Sequence, residues 1–166
     1  LEKYFFGRVG LFRNQPGAML LKRSDLVIAI GYAPIEYEAR NWNAEKDARV
    51  IVIDETPAEI DSYMQPEREL IGNISATLEL LTDSLEPHQV SVDSKEYLVS
   101  LQKKLTARDS VSSKSSQGIL HPLEVINTLQ SKVTDEMTVT VDVGSHYIWM
   151  ARHFRSYEAR HLLFSN

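Results

Sequence analysis

Apolar residues run without interruption at two places in the chain, Leu26-Val27-Ile28-Ala29-Ile30 and Val50-Ile51-Val52-Ile53. A strand covered by helices on both faces is apolar along its length, whereas a half-solvated strand alternates, so both runs predict buried parallel strands. Gly31 and Asp54 follow them as residues typical of a strand's carboxyl edge. Pro16, near the start of Gln15–Lys22, predicts a short helix ahead of the first strand, closed by Ser24-Asp25. After the second strand, Thr56-Pro57-Ala58-Glu59 predicts a helix start, with Thr56 as cap, Pro57 at the first helical position and Glu59 completing a capping box. A third strand is expected at Glu69–Ile71. Asn73 should then cap a helix that carries Ile74, Leu78 and Leu81 on one face. Leu26 to Leu85 therefore reads as strand, helix, strand and helix of a doubly wound layer.

The pattern changes across Glu86–Asp93, a polar stretch with a proline. A helix is expected at Ser94–Ala107, with Leu98, Leu101 and Leu105 on one face. Asp109–Gly118 is serine-rich without a core-forming pattern, which makes it a linker. A second unit opens with a helix from Pro122, where Leu123, Ile126 and Leu129 share a face. Met137–Asp142 alternates as a strand, Gly144-Ser145 turns it into a helix over about His146–Phe154, and Arg160–Phe164 is another strand. The predicted fold class is α/β: a parallel, doubly wound, Rossmann-like portion plus the opening β-α-β of a second α/β domain. The expected division is 1–85, 86–120 with one helix, and 121–166. Each side holds few strands for an open sheet, so a single compact domain with a long excursion is the competing arrangement.

Composition narrows the function. An apolar fraction of 43% and a charged fraction of 25% are those of a globular protein. The absence of cysteine excludes thiolate chemistry, cysteine-ligated zinc and disulfides, and fits a reducing cytoplasm. A net charge of -5 argues against nucleic acid as a partner. No apolar run approaches a bilayer span, and Leu1–Phe6 has no signal-peptide pattern, so neither membrane nor secretion is expected. The chain opens on Leu1 and stops at Asn166 directly after Leu162-Leu163-Phe164, where a turn and another element should follow. It is expected to be an internal piece of a longer protein.

The most suggestive chemistry lies at Asp142-Val143-Gly144-Ser145-His146. A strand-to-helix turn at the carboxyl end of a parallel strand presents backbone N–H groups that hold phosphate. Gly144 permits close approach, Ser145 can cap the helix and His146 offers a donor; an ordinary capped helix start is the plainer alternative. Asp142, Ser145 and His146 contain the letters of a hydrolase triad but lack any Gly-x-Ser-x-Gly elbow. His146 and His153 lie seven apart, whereas a zinc pair on a helix needs i and i+4. Trp149 and His153 have the closer spacing, which suits packing. His88 and His121 sit at linker edges, and no metal site is expected. Gly7-Arg8-Val9-Gly10 is only a fragment of a glycine-rich loop, and the full dinucleotide fingerprint is absent. Glu36, Glu38 and Arg40 read as surface charges, and Trp42 as a core residue, with a pocket wall as the alternative.

Several stretches resemble the bacterial catabolic acetolactate synthases, enzymes dependent on thiamine diphosphate. They are Gly7-Arg8-Val9-Gly10-Leu11-Phe12-Arg13-Asn14-Gln15-Pro16-Gly17, Asp25–Tyr32 with Pro34–Glu38, and Asn41-Trp42-Asn43. Thr140-Val141-Asp142-Val143-Gly144-Ser145-His146-Tyr147-Ile148-Trp149-Met150-Ala151-Arg152 is similar to the opening of that family's diphosphate-binding domain, and Ser156–Arg160 and Phe164–Asn166 continue it. The resemblance covers nearly the whole chain and is weakest over Glu86–Gly118.

The resemblance implies a cytoplasmic, oligomeric three-domain enzyme that condenses two pyruvates to 2-acetolactate with loss of CO₂, using thiamine diphosphate and Mg²⁺. It implies that Gly144, Ser145 and His146 meet the diphosphate, and that this stretch contributes neither catalytic residues nor metal ligands. The glutamate that activates the cofactor and the Gly-Asp-Gly run that holds Mg²⁺ belong to other parts of the enzyme. The FAD-binding branch carries Arg-Phe-Asp-Asp-Arg where Tyr32–Tyr37 stands here, and Asp where Asn73 stands, so FAD is not expected. Ala18 and Ala33 depart from more polar residues in catabolic relatives. The stretch alone is expected to be inactive, to bind none of these cofactors tightly and to self-associate through uncovered strand edges. A stand-alone α/β ligand-binding or oligomerisation module is the alternative.

Overall fold

In a computed structural model of the chain, residues 4–10, 15–87, 91–109 and 119–165 are described. The elements run α1 (Pro16–Leu21), β1 (Leu26–Ile30), a 3₁₀ turn (Ala39–Asn41), β2 (Arg49–Asp54), β3 (Arg68–Ile71), α2 (Ile74–Ser84), α3 (Val92–Asp109), α4 (Pro122–Gln130), β4 (Val139–Val141), α5 (Ser145–His153) and β5 (Leu162–Phe164). The strands form two sheets. One has the order β1-β2-β3 and the other pairs β4 with β5, and every pairing is parallel. The α/β class with parallel sheets is thus borne out, including a second β-α-β unit. The serine-rich segment 110–118 and the motif residues 11–14 lie outside the described residues, as do His88 and Asn166.

Both continuous apolar runs are strands. Their register places Ala29 beside Val52 and Val27 beside Val50, and alternation along a strand sends these four to one face. Ala29, Val50 and Val52 pack there with Ala39 and Met64, flanked by Tyr32, Trp42, Ala58 and Tyr63. Trp42 therefore sits at this core's rim, partly buried rather than inside it. On the other face Ile53 is buried, while Ile28 and Ile30 are 51% and 46% exposed. The helix α2 follows β3 on the Asn73 cap, whose side chain accepts the Ala76 amide at 3.0 Å.

The helix expected from Thr56 does not form. The amides that would open it are taken by carboxylates. Asp54 Oδ1 accepts from Glu55 and Thr56 at 2.7 and 3.3 Å, and Glu69 Oε1 accepts from Ala58 at 2.8 Å. Asp61 then accepts from Tyr63 and Met64 at 2.6 and 2.7 Å. Side chains that satisfy local amides compete directly with helix formation, and this set lets Met64 drop into the core. The crossovers from β1 to β2 and from β2 to β3 therefore carry no α-helix, so the strand-helix-strand-helix order is corrected to three strands followed by α2.

Helix α3 is longer than expected at both ends and is docked, not free-standing. Leu101 and Leu105 are buried. Tyr97 donates its hydroxyl to the Met19 carbonyl at 3.2 Å, the Arg23 guanidinium lies 4.1 Å above the Tyr97 ring, and Gln102 donates to the Phe5 carbonyl at 2.9 Å. Among the described residues no helix is long and apolar enough to cross a membrane.

Candidate functional site

Helix α4 begins with a cap that the sequence reading overlooked. His121 Nδ1 accepts the Leu123 amide at 3.2 Å while Glu124 accepts the His121 amide at 3.2 Å, a reciprocal capping box. Leu123 and Ile126 are buried, and Ile126 joins Val141, Met150 and Phe154 in the second core. This small core carries the candidate turn.

The turn leaves β4 at Val141 and enters α5 at Ser145. Asp142 Oδ1 accepts the Val143 amide at 2.8 Å, and residues 142–146 are all exposed. Ser145 was expected to cap the helix; instead Gly144 holds the N-cap position and Ser145 is the first helical residue, with no side-chain cap. The reason is backbone conformation. Gly144 has φ +151°, which L side chains rarely adopt, so the chain turns one residue earlier than a serine cap would require. The His146 ring lies across Gly144: a Cβ there would sit 2.8 Å from its Cε1. The head of α5 is thus exposed, with a serine and an imidazole beside it. A helix N-terminus carries about half a positive charge, so this arrangement favours an oxyanion with several acceptors.

Two aromatic rings support the turn from below. Tyr147 donates its amide to the Gly144 carbonyl at 3.0 Å, and its ring stands 4.7 Å from that of Phe164. Arg8 lies 5.0 Å over the same Phe164 ring. Burial lowers the Arg8 pKa, with Tyr147 raising it and Arg155 lowering it further. These residues were not picked out from sequence, because Arg8 and Phe164 stand at opposite ends of the chain and neither has a local signature.

The two helix histidines part company. His146 is exposed at the turn, whereas His153 is buried and stacks on Trp149 with centroids 5.5 Å apart. Packing, as the i and i+4 spacing suggested, is what His153 does. Among the described residues no group of three His, Asp or Glu is placed to hold a metal ion.

A second cleft, of about 410 Å³, lies at the carboxyl end of β1 beside Gly31, Tyr32, Tyr37 and Trp42. Its wall is tied internally. Tyr32 donates to the Tyr37 carbonyl, and Trp42 Nε1 donates to the Tyr32 hydroxyl at 3.2 Å. Burial pushes the Tyr32 phenol up, against the opposing effect of the Trp42 hydrogen bond. Glu36 and Glu38 are exposed, and Glu38 pairs with Arg40 as a surface charge.

Residues 2–81 match the family model for the thiamine pyrophosphate enzyme central domain. Over all 166 residues the chain is 42% identical to an acetolactate synthase of Bacillus subtilis. Over 163 residues, 98% of the chain, it is 40% identical to a catabolic acetolactate synthase of Raoultella terrigena. An acetolactate synthase large subunit of Haemophilus influenzae is 26% identical over 168 aligned positions, covering 96% of the chain and 28% of that protein. The chain spans 29% of the length of the first two relatives. It is therefore a relative of the acetolactate synthases, as the motifs anticipated, with a segment of thiamine pyrophosphate enzyme central-domain type at 2–81.

Proposed function

We propose that this chain is the part of a catabolic acetolactate synthase in which the later central domain, residues 1–85, leads through a connector at 86–120 into the opening of the diphosphate-binding domain at 121–166. The single observation that carries the reading is the agreement of a whole-chain similarity at 42% identity with an exposed helix N-terminus at the matching turn. In the intact enzyme two pyruvates would condense to 2-acetolactate with release of CO₂, in the cytoplasm of the cell.

Gly144, Ser145 and His146 are the residues we assign to the diphosphate end of thiamine diphosphate. The reading rests on the exposed head of α5 and on the adjacent imidazole, whose ring takes the space a Cβ at 144 would fill. When bound, that cofactor supplies the carbanion chemistry, while the protein supplies position and electrostatics. This chain's own contribution is to anchor an anion at the head of α5. Among the described residues no three His, Asp or Glu come together to hold a metal ion, and we assign no metal ligand and no proton-transfer step to this chain. The departures of Tyr32–Tyr37 and Asn73 from the FAD-binding branch support an FAD-independent enzyme.

The test is a chimera. Replacing the matching 166 residues of the Bacillus subtilis relative with this chain should give an enzyme that makes 2-acetolactate from pyruvate without added FAD. A folded, inactive chimera, or one that needs FAD, would defeat the proposal. Calorimetry on the chain alone should show no tight binding of thiamine diphosphate, FAD or NAD, and low-micromolar affinity for NAD or FAD would favour a stand-alone nucleotide-binding module instead. We further propose self-association through the open isoleucine face of β1 and its outer edge, because such edges recruit partners. Sedimentation of a clean monomer at high concentration would remove that idea.

A further inference from the structure

The rings beneath the Gly144 turn connect it to the first residues of the chain. Phe164, last in β5, pairs with Val141, last in β4, and the Ser165 amide donates to the Val141 carbonyl at 2.9 Å. Its ring meets Tyr147, which closes the first turn of α5 on the Gly144 carbonyl. Phe164 therefore supports the turn on both sides, through backbone on the strand side and through its ring on the helix side. The ladder beneath is short, with three paired positions, and two-stranded pairings of that length are marginal by themselves.

Arg8 supplies what the ladder lacks. It enters from the segment ahead of α1 and lies over Phe164, while Arg155, just after α5, lies 5.2 Å over Phe5 in that same segment. Arg155 is itself held: its amide donates to Gln130 Oε1 at 2.6 Å and Gln130 Nε2 donates to its carbonyl at 3.0 Å. The opening segment and the second sheet thus exchange arginines across two rings. We propose that Arg8 is a positioning residue for the Gly144–His146 turn, acting through the rings of Phe164 and Tyr147. A planar guanidinium stacks on an aromatic face in a way that an ammonium does not, so shape as well as charge enters. The ordering of the turn stands on these contacts alone; its effect on ligand binding rests on the diphosphate reading above.

Amide hydrogen exchange followed by NMR on the 166-residue chain separates the two. Arg8→Ala should speed exchange at the Tyr147 amide about two- to fivefold, the range a partly exposed cation–π contact commands. The Thr77 amide in α2 should not change, which controls for general unfolding. Arg8→Lys should recover only part of the protection, and Arg8→Ala should add little to Phe164→Leu. Unchanged Tyr147 exchange in Arg8→Ala, full protection in Arg8→Lys, or additive effects of Arg8→Ala and Phe164→Leu would each overturn the inference. Inorganic pyrophosphate should shift the Ser145 and His146 amides of the parent and do so less in Arg8→Ala. Absent shifts in the parent would count against the diphosphate reading, leaving the exchange result to decide the role of Arg8.

Discussion

The two sheets differ in how they are held. The first has three strands, with Val50, Val52 and Ile53 at most 4% exposed. The second has two strands of three residues, and its core leans on α4 and α5. The candidate anion site sits on the second and is exposed. Chemistry at the end of a short ladder has little local structure beneath it, so it draws order from outside, through Arg8, Phe5 and Gln130. Binding elements commonly come from the less stable end of a fold, and here that end can be identified by the size of its sheet.

The chain's two tryptophans report the contrast separately, since Trp42 rims the first core and Trp149 the second. In urea, the transition seen by Trp149 in a Trp42→Phe background should come before that seen by Trp42 in a Trp149→Phe background. Coincident transitions, or the reverse order, would break the comparison. The largest single effect is expected from Ile53→Ala, which empties a site that is 1% exposed. It should lower stability by about 2–5 kcal/mol in the Trp42-reported transition.

Next in size is Gly144→Ala. A side chain at φ +151° is strained, at roughly 1–3 kcal/mol, and the His146 ring must swing away. The loss should appear in the Trp149-reported transition and leave the Trp42-reported one in place. Equal losses in both would mean that the two sheets unfold as one.

Helix caps sharpen the comparison on a smaller scale. Asn73→Ala should cost about 1 kcal/mol because a real cap bond is lost. Ser145→Ala should change stability by less than about 0.5 kcal/mol, as an exposed side chain without a cap role. A full cap penalty at Ser145 would show that serine, not Gly144, starts α5.

The sequence signals that held were those with one physical reading. The apolar runs at 26–30 and 50–53 both form parallel strands, although only β2 is largely buried and the Ile28 and Ile30 side of β1 is open, and Asn73 ahead of an apolar helix face left its amides one nearby acceptor. The failures were ambiguities of local chemistry. Thr56-Pro57-Ala58-Glu59 has the letters of a helix start, but Asp54 and Glu69 reach its amides first. Ser145 and Gly144 can each begin a helix, and only the backbone angle decides between them. His121 as a cap went unseen because histidine seldom serves there. The ring stack under the turn was illegible for a different reason: Arg8 meets Phe164 only after both sheets exist.

The smallest effect tests the first region's aromatic wall. Tyr32→Phe removes the hydroxyl that donates to the Tyr37 carbonyl and accepts from Trp42, so at neutral pH the variant should be less stable by about 0.5–1.5 kcal/mol. Burial raises the Tyr32 phenol above its ordinary value of 10.0. A group raised in the folded state gives its full contribution below the unfolded value and loses it as pH climbs toward the folded one. In alkali the unfolded chain releases this proton first, which draws the equilibrium toward unfolding in the parent and not in the variant. The stability gap should therefore narrow between about pH 9 and 11, near the unperturbed tyrosine range. Paired urea titrations cancel every other alkaline group the two proteins share. A gap that stays constant or widens with pH would mean that the Tyr32 hydroxyl is solvated, and the wall beside β1 would then be as open as the turn at Gly144.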